Sequence, residues 1–240
     1  MEPLPAARAL IAGAFPDALA AFLGGNVLST RRTATSDLDI LVVVPGPPAP
    51  YRETIRYGDW LVELFVHTDA SLRHYFAKDR ERRHPTMATI AAHGAVVADR
   101  AGIADAILTE ANALLEAGPP ELTHNERKDL RYGLSGGIDD LVGATDRDEL
   151  VFIANAVFEA AAQLYLLDRR RWPGTFKWLG RRLLDEAPAM HAQLMAAHRA
   201  AICAGDIDPL RAVAMEILDC AGGWLQEGYL GYGEVPAAGE

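Results

Sequence analysis

The chain has 240 residues, of which half are hydrophobic and 23% are charged, and its formal net charge is −10. This size and composition are typical of one or two globular domains and exclude a disordered chain. The cysteines Cys203 and Cys220 are too few for a disulfide-rich secreted scaffold, and the sequence has no signal-peptide pattern and no uninterrupted apolar run of membrane-spanning length. We therefore expect a cytoplasmic protein with no membrane partner.

The acidic excess lies entirely in the later part of the chain. Residues 1–100 contain 11 basic and 11 acidic side chains, whereas residues 101–240 contain 12 and 22. Proteins that bind a long nucleic acid usually carry a basic excess, so we expect no such partner. The acidic part would attract a cationic small molecule, and solvated acidic helix faces are the alternative explanation.

The part of the chain before residue 100 alternates short apolar runs with turn residues. Pro5–Leu23 has an amphipathic helical pattern, which Pro16 breaks or restarts. Branched aliphatic residues and the Gly58-Asp59 turn predict strands further on, two of which form a hairpin through Gly58. The predicted strands cover Leu38–Val44, Tyr51–Tyr57, Trp60–His67 and Ala95–Ala98.

The part after residue 100 has helical composition, and its first predicted helix stops at Gly118-Pro119-Pro120. We therefore expect an α+β protein, with a small mixed-sheet core domain over 1–118 followed by a helical bundle domain over 119–240. The predicted helices cover Ile103–Ala117, Asn125–Val142, Asp148–Arg170, Lys177–Asp185, Ala187–Ala204 and Pro209–Gln226.

Two aspartates stand at the start of the most apolar predicted strand. Side chains alternate between the two faces of a strand, so Asp37 and Asp39 point to one side, about 7 Å apart, while Leu38 and Ile40 point to the other. Two carboxylates placed in this way can converge on divalent cations such as Mg²⁺. Glu63 is a third candidate, because an acid inside an otherwise apolar strand is costly unless it is paired or metal-bound.

Each of these acids alone also has a structural explanation. Asp37 can cap a turn, and Glu63 can face water on an edge strand. Together with Gly24-Gly25 upstream, however, the set favours a functional site with Asp37, Asp39 and Glu63 as catalytic, metal-binding carboxylates. Glycines allow the backbone to approach a phosphate closely and to offer its N–H groups.

Gly24-Gly25, eleven further residues and then Asp37-Leu38-Asp39-Ile40 resemble the signature of the DNA polymerase β-like nucleotidyltransferase superfamily, and Glu63 resembles its third acid. The helical part is similar to the domain fused to this core in aminoglycoside nucleotidyltransferases and related small bacterial enzymes. The resemblance is specific over residues 22–67 and looser over 95–225. It implies a nucleotidyltransferase core, two Mg²⁺ ions on the three acids, and a nucleoside triphosphate, with ATP the expected one.

The resemblance also implies a reaction, in which an acceptor hydroxyl attacks the α-phosphorus in line and pyrophosphate leaves. The expected acceptor is a small cationic molecule such as an aminoglycoside, in keeping with the acidic helical part. A protein acceptor of the toxin–antitoxin type and a non-catalytic nucleotide-binding module are the alternatives. The oligomeric state is left open.

Two features depart from the resembled pattern. Many members of the superfamily have Gly-Ser where this chain has Gly24-Gly25, so a phosphate-binding hydroxyl is missing and Ser36 or Ser29 is its candidate substitute. The loop also carries Arg31-Arg32, which either contact phosphates or are solvated.

The apolar segment Val151–Leu167 carries one line of polar residues at helical spacing, the polar stripe (Asn155, Glu159 and Gln163). Glu159 either faces a cleft, as general base or as a ligand for an acceptor amine, or the stripe makes buried hydrogen bonds between helices. Glu63 is the other candidate for the general base.

Lys177 follows a basic cluster and resembles a lysine that reaches the triphosphate from the helical domain of related two-domain enzymes. A solvated surface lysine is the alternative, and Arg127, Lys128 and Arg131 are other candidates for the same role.

Two further patterns have residue types that occur in functional sites. Residues 133–137 match the Gly-x-Ser-x-Gly nucleophile motif, but the charged, helix-like sequence before them excludes the buried strand that the motif needs. His67 is the only histidine placed to join a metal site, because it ends the strand of Glu63.

Overall fold

One mixed sheet lies at the centre of the first part of the chain in the computed structural model, which describes residues 1–231. The strand order is β3-β4-β2-β1-β5, in which β2 and β4 are parallel and the other neighbours are antiparallel. The sheet and the helices that follow it confirm the predicted α+β class. The strands are β1 (Ala20–Gly24), β2 (Leu38–Val43), β3 (Tyr51–Tyr57), β4 (Trp60–His67) and β5 (Ala95–Asp99).

The chain divides into two compact units, of which the first is Met1–Pro119 and the second begins at Pro120. The helices of the first unit are α1 (Pro3–Ala14), α2 (Asp69–Glu81), α3 (Thr86–His93) and α4 (Ala104–Ala117). The helices of the second unit are α5 (His124–Gly143), α6 (Arg147–Asp168), α7 (Lys177–Glu186), α8 (Pro188–Arg199) and α9 (Asp208–Cys220).

The predicted helix over Pro5–Leu23 is wrong in its second half. Helix α1 ends at Ala14, and Ala20–Gly24 forms an inner strand of the sheet. All five residues of β1 are buried, because β2 and β5 flank the strand and helices cover both of its faces. A strand that is buried on both sides has no polar alternation to distinguish it from a helix.

The predicted helix over Pro209–Gln226 is too long, since α9 ends at Cys220. Gly222 and Gly223 follow with positive φ angles of 116° and 84°, and the chain turns back along α5. This returning segment (residues 222–231) is hydrogen-bonded to successive turns of α5, for example from Gln226 Nε2 to Asp139 Oδ2 at 2.8 Å. The returning segment therefore completes the second unit in place of a longer helix.

The two faces of the sheet have separate cores. On one face, Ile40 and Leu64 pack with residues of α1, and on the other Leu41 and Phe65 pack with residues of α2, α3 and α4. Asp39 and Glu63 share the side of Leu41 and Phe65, because each lies two residues away along its strand. The acids therefore occupy one end of the sheet face that α2, α3 and α4 cover.

Helix α6 is long and apolar enough to cross a membrane by length and composition alone, and 44% of its most apolar window is buried in the structure. Its apolar side chains belong to the core of the second unit, where Leu150, Val157 and Leu164 are buried together with Leu134 of α5 and Ile217 of α9. A core helix passes the same composition test, and the packing observed here accounts for the apolar character of α6.

Candidate active site

Strand register brings the three predicted acids together in an acid cluster (Asp37, Asp39 and Glu63). Asp39 of β2 lies directly opposite Glu63 of β4 on one side and Gly24 of β1 on the other. One ligand oxygen from each carboxylate lies within 4.8 Å of those of the other two, and all three residues are half-buried. Pairing between strands thus joins residues that are up to 26 positions apart in the sequence.

The acid cluster has the donor chemistry of a site for a hard divalent cation. Its ligands are carboxylate oxygens only, which suit Mg²⁺, Mn²⁺ or Ca²⁺ rather than the softer metals. Three carboxylates this close repel one another unless a cation is nearby. The residues present therefore fit the Mg²⁺ that the sequence predicts.

Gly25 lies against the acid cluster in a conformation that only glycine adopts readily. Its φ is +83° and its ψ is −179°. A Cβ at this position would lie closer to Asp39 Oδ2 than van der Waals contact allows, and 3.2 Å from Asp39 Cγ. A serine at this position would therefore displace the carboxylate of Asp39 in this backbone. Gly24 is also close-packed, because its Cβ would lie 3.1 Å from Ile90 Cα of α3.

Arg52, which the sequence analysis does not single out, is the ion-pair partner of Glu63. Arg52 Nη2 donates to Glu63 Oε2 at 2.6 Å, and Arg52 Cζ lies 5.0 Å from the ring centroid of Phe65. The register of the β3–β4 hairpin predicts this ion pair. A two-residue turn at Gly58-Asp59 places Thr54 opposite Glu63, so that Arg52 lies on the same face one position beyond.

The two candidate serines in the loop before β2 are hydrogen-bonded within that loop. Ser36 Oγ accepts a bond from the amide of Thr33 at 2.9 Å. Ser29 Oγ donates to the carbonyl of Asn26 at 2.9 Å and accepts from the amide of Arg31 at 3.1 Å. Both hydroxyls therefore help to shape the loop, and a phosphate-binding role for Ser36 stays a prediction.

Arg32 of the same loop makes two contacts within the first unit. Arg32 Nη1 lies 3.4 Å from Glu2 Oε2, and its guanidinium lies 5.2 Å from the ring centroid of Trp60. These contacts hold the loop against the start of the chain and against β4.

His67 lies on the same face of β4 as Glu63 but is buried in the core, with only 4% of its surface exposed. Its Nδ1 lies 3.3 Å from Ser71 Oγ, its ring packs edge-on against Tyr75, and burial lowers the pKa of the imidazole. Among residues 1–231, the groups close enough to share a metal ion are the acid cluster alone, without His67.

The polar stripe is not a set of buried interhelical hydrogen bonds. Glu159 and Asn155 are exposed, and Gln163 is half-buried. Asn155 Oδ1 lies 2.7 Å from Nε2 of His198 on α8, so one interhelical bond forms at the edge of the stripe.

The basic candidates of the second unit differ in their contacts. Lys177 is the exposed first residue of α7. Arg127 pairs with Asp168, Arg131 Nε donates to the Gly223 carbonyl at 2.8 Å, and Lys128 Nζ lies 3.4 Å from the Leu230 carbonyl. These last three side chains stabilise the second unit itself.

Ser135 of the Gly-x-Ser-x-Gly match lies inside α5 and has no exposed surface. Its Oγ accepts a bond from the amide of Leu225, in the returning segment, at 3.1 Å. The motif is helical, as the charged residues before it indicate, and the serine holds the returning segment in place.

A surface cavity of about 350 Å³ also lies in the first unit, lined among others by Phe15, Val44, Tyr51 and Val66. It opens at the carboxyl ends of β2 and β4, whereas the acid cluster lies at their amino ends. The cavity is therefore separate from the acid cluster.

No protein-family model and no curated protein matches the chain. Among solved structures, a nucleotidyltransferase-like protein from Exiguobacterium sibiricum 255-15 is similar to it, with a TM-score of 0.47 and 12% sequence identity over 90% of this chain and 74% of that one. At this identity and TM-score the likeness says nothing about the reaction, and the function is inferred from the geometry of the site.

Proposed function

We propose that this protein is a nucleotidyltransferase that moves a nucleoside monophosphate from a nucleoside triphosphate, with ATP as the preferred donor, to the hydroxyl of a small molecule. The observation that carries the proposal is the acid cluster on two parallel strands, with its oxygens within 4.8 Å of one another, beside a backbone turn at Gly25 that has no room for a side chain.

Asp37, Asp39 and Glu63 would hold two Mg²⁺ ions, which when bound offset negative charge on the entering and leaving oxygens. The Gly24 and Gly25 amides are the proposed donors to the triphosphate, assisted by Ser36 and by Lys177 of the second unit. Glu63 is the proposed general base, because its position opposite Asp39 places it within the acid cluster.

The reaction forms one bond and breaks one. The acceptor oxygen bonds to the α-phosphorus, the bond from that phosphorus to the bridging oxygen breaks, and pyrophosphate leaves. The hydroxyl proton passes to the carboxylate of Glu63. No oxidant or reductant is needed.

We further propose a cationic acceptor of the aminoglycoside type and a cytoplasmic location. Support for the acceptor comes from the 22 acidic against 12 basic residues after position 100, and from the exposed carboxylate of Glu159, which could bind an amine. A protein acceptor is the second candidate, favoured by exposed large apolar side chains on the second unit such as Phe152, which is 76% exposed.

The test is pyrophosphate release from each nucleoside triphosphate with Mg²⁺, across a panel of aminoglycosides, with Asp39→Asn run alongside. We expect acceptor-dependent release that the variant loses. If no aminoglycoside supports pyrophosphate release while MgATP still binds, the cationic acceptor is overturned and a protein acceptor is favoured. If the chain neither releases pyrophosphate nor binds nucleotide, the enzymatic function is overturned and a non-catalytic module remains.

A further inference from the structure

We infer that Arg52 is a positioning residue that holds Glu63 and, through its positive charge, weakens divalent-cation binding at the acid cluster in the chain without nucleotide. This inference rests on the proposed function for its catalytic consequence, but its central claim concerns cation binding alone.

The Arg52 guanidinium makes two contacts that fix it beside Glu63. Arg52 Nη2 lies 2.6 Å from Glu63 Oε2, a short charge-assisted hydrogen bond. The guanidinium also lies over the ring of Phe65, which is 8% exposed and follows Glu63 on the same face of β4. Since Glu63 is 23% exposed while Arg52 is 61% exposed, the carboxylate lies deeper and the arginine reaches it from the solvent side.

The pair changes the charge that a cation meets at the acid cluster. The guanidinium bonded to Glu63 offsets one unit of the negative charge that the carboxylates of the acid cluster carry, so a divalent cation meets a weaker attraction there. Oε2 of Glu63 accepts from Arg52, so this hydrogen bond competes with a cation for that oxygen.

Arg52 therefore has opposite effects on two measurable quantities. Its positive charge weakens cation binding in the nucleotide-free chain, while its hydrogen bond fixes the orientation of Glu63 for the reaction. Removing the guanidinium should strengthen cation binding and reduce the turnover number. Replacing a residue with a merely structural role would weaken both cation binding and turnover, or would change neither.

The experiment measures Mn²⁺ binding to the full chain without nucleotide, by electron paramagnetic resonance of free Mn²⁺, for the wild type, Arg52→Gln, Arg52→Lys and Arg56→Gln. Arg56 is the matched control, because it is an exposed arginine on the same face of β3 and has no ion pair within residues 1–231. Asp39→Asn shows whether the binding belongs to the acid cluster.

We expect Mn²⁺ binding in the wild type that Asp39→Asn loses, about tenfold tighter binding in Arg52→Gln, and about twofold tighter binding at most in Arg56→Gln, since the charge effect falls with distance and is screened by salt. Arg52→Lys keeps the charge and should bind Mn²⁺ as the wild type does. In the nucleotidyl-transfer assay, Arg52→Gln should lower kcat about tenfold with little change in the KM for the triphosphate, and Arg52→Lys should restore part of the loss.

Equal strengthening by Arg52→Gln and Arg56→Gln would overturn the inference in favour of a general field effect. Weaker Mn²⁺ binding in Arg52→Gln, or no binding to the wild type and Arg52→Gln alike, would also overturn it. If Mn²⁺ behaves as expected but no acceptor supports transfer, the role of Arg52 at the cation site stands and the proposed function fails.

Discussion

The acid cluster and the polar stripe of α6 are both sets of polar residues set among apolar ones in the sequence, yet their side chains have different surroundings in the structure. The register of β2 and β4 brings the three carboxylates of the acid cluster within 4.8 Å of one another. The stripe leaves Glu159 exposed on a helix. Pairing of strands specifies which residues become neighbours, whereas helical periodicity specifies only a shared direction.

The largest expected difference between the two regions is catalytic. Asp37→Asn removes a proposed cation ligand and should lower kcat by at least about 10²-fold, because charge on the reacting oxygens is no longer offset. Glu159→Gln should leave kcat within about twofold and raise the KM for a cationic acceptor. Steady-state kinetics of pyrophosphate release separate the two effects, and an equal loss of kcat in both variants would show that Glu159 takes part in the chemical step.

A second change tests whether the backbone beside the acid cluster is as demanding as its geometry indicates. Gly25→Ala should weaken Mn²⁺ binding about tenfold, because the new Cβ displaces the carboxylate of Asp39 and strains the positive φ. Gly46→Ala is the control, since a Cβ at that position meets no atom within 4 Å. Calorimetric titration with Mn²⁺ measures both variants, and unchanged affinity in Gly25→Ala would show that the turn adapts.

A third change compares stability in the second unit with activity in the first. Ser135→Ala leaves the amide of Leu225 without its acceptor and should lower the free energy of unfolding by about 1–2 kcal/mol, with pyrophosphate release retained. Urea unfolding measures the loss, with the exposed Ser29→Ala expected within about 0.5 kcal/mol of the wild type. Loss of activity without loss of stability would instead make Ser135 a functional hydroxyl.

The smallest expected effect is on the pH dependence of stability, through one histidine near each of the two regions. Burial lowers the pKa of His67 on β4 and of His198 beside the stripe, so each is neutral in the fold where the unfolded chain already binds a proton. The stability that they contribute is therefore present above about pH 6.5 and is lost as the pH falls below it, by less than about 1.4 kcal/mol per pH unit for each.

His67→Gln should flatten this pH dependence more than His198→Gln, because His67 is buried and His198 is half-buried. Urea unfolding at about pH 7.5 and about pH 5.5 provides the comparison. An unchanged slope in His67→Gln would mean that another group is responsible for the acid sensitivity.

The sequence specifies much of the acid cluster because two local rules suffice for its parts. Alternation places Asp37 and Asp39 on one side, and the turn at Gly58-Asp59 sets the hairpin of β3 and β4. The parallel pairing of β2 with β4 brings Glu63 to the two aspartates. This pairing cannot be predicted from the local sequence, because it depends on where the whole hairpin docks. The partner of Glu63 was accessible from the hairpin register, which places Arg52 beside it.

Elements whose signals are local but weak were missed. Helix α2 covers the face of the sheet that carries the acids, and the capping box between Thr68 and Ser71 marks its start. Strand β1 is rich in alanine and buried throughout, so its composition is that of a helix and only its place between two strands makes it extended. The proposed roles of Glu159 and Lys177 cannot be predicted from helical periodicity, which specifies only a shared direction.

The strand order also determines which parts of the site can open independently. The acids lie at or on β2 and β4 and the glycine turn follows β1. All three strands are internal, so separating the acids from one another requires disruption of the sheet as a unit. Arg52 lies on β3, at the edge, where local fraying costs least. A brief opening of that one strand would free Glu63 from its counter-ion while Asp37 and Asp39 keep their places, so the charge of the site can fluctuate without unfolding of the scaffold.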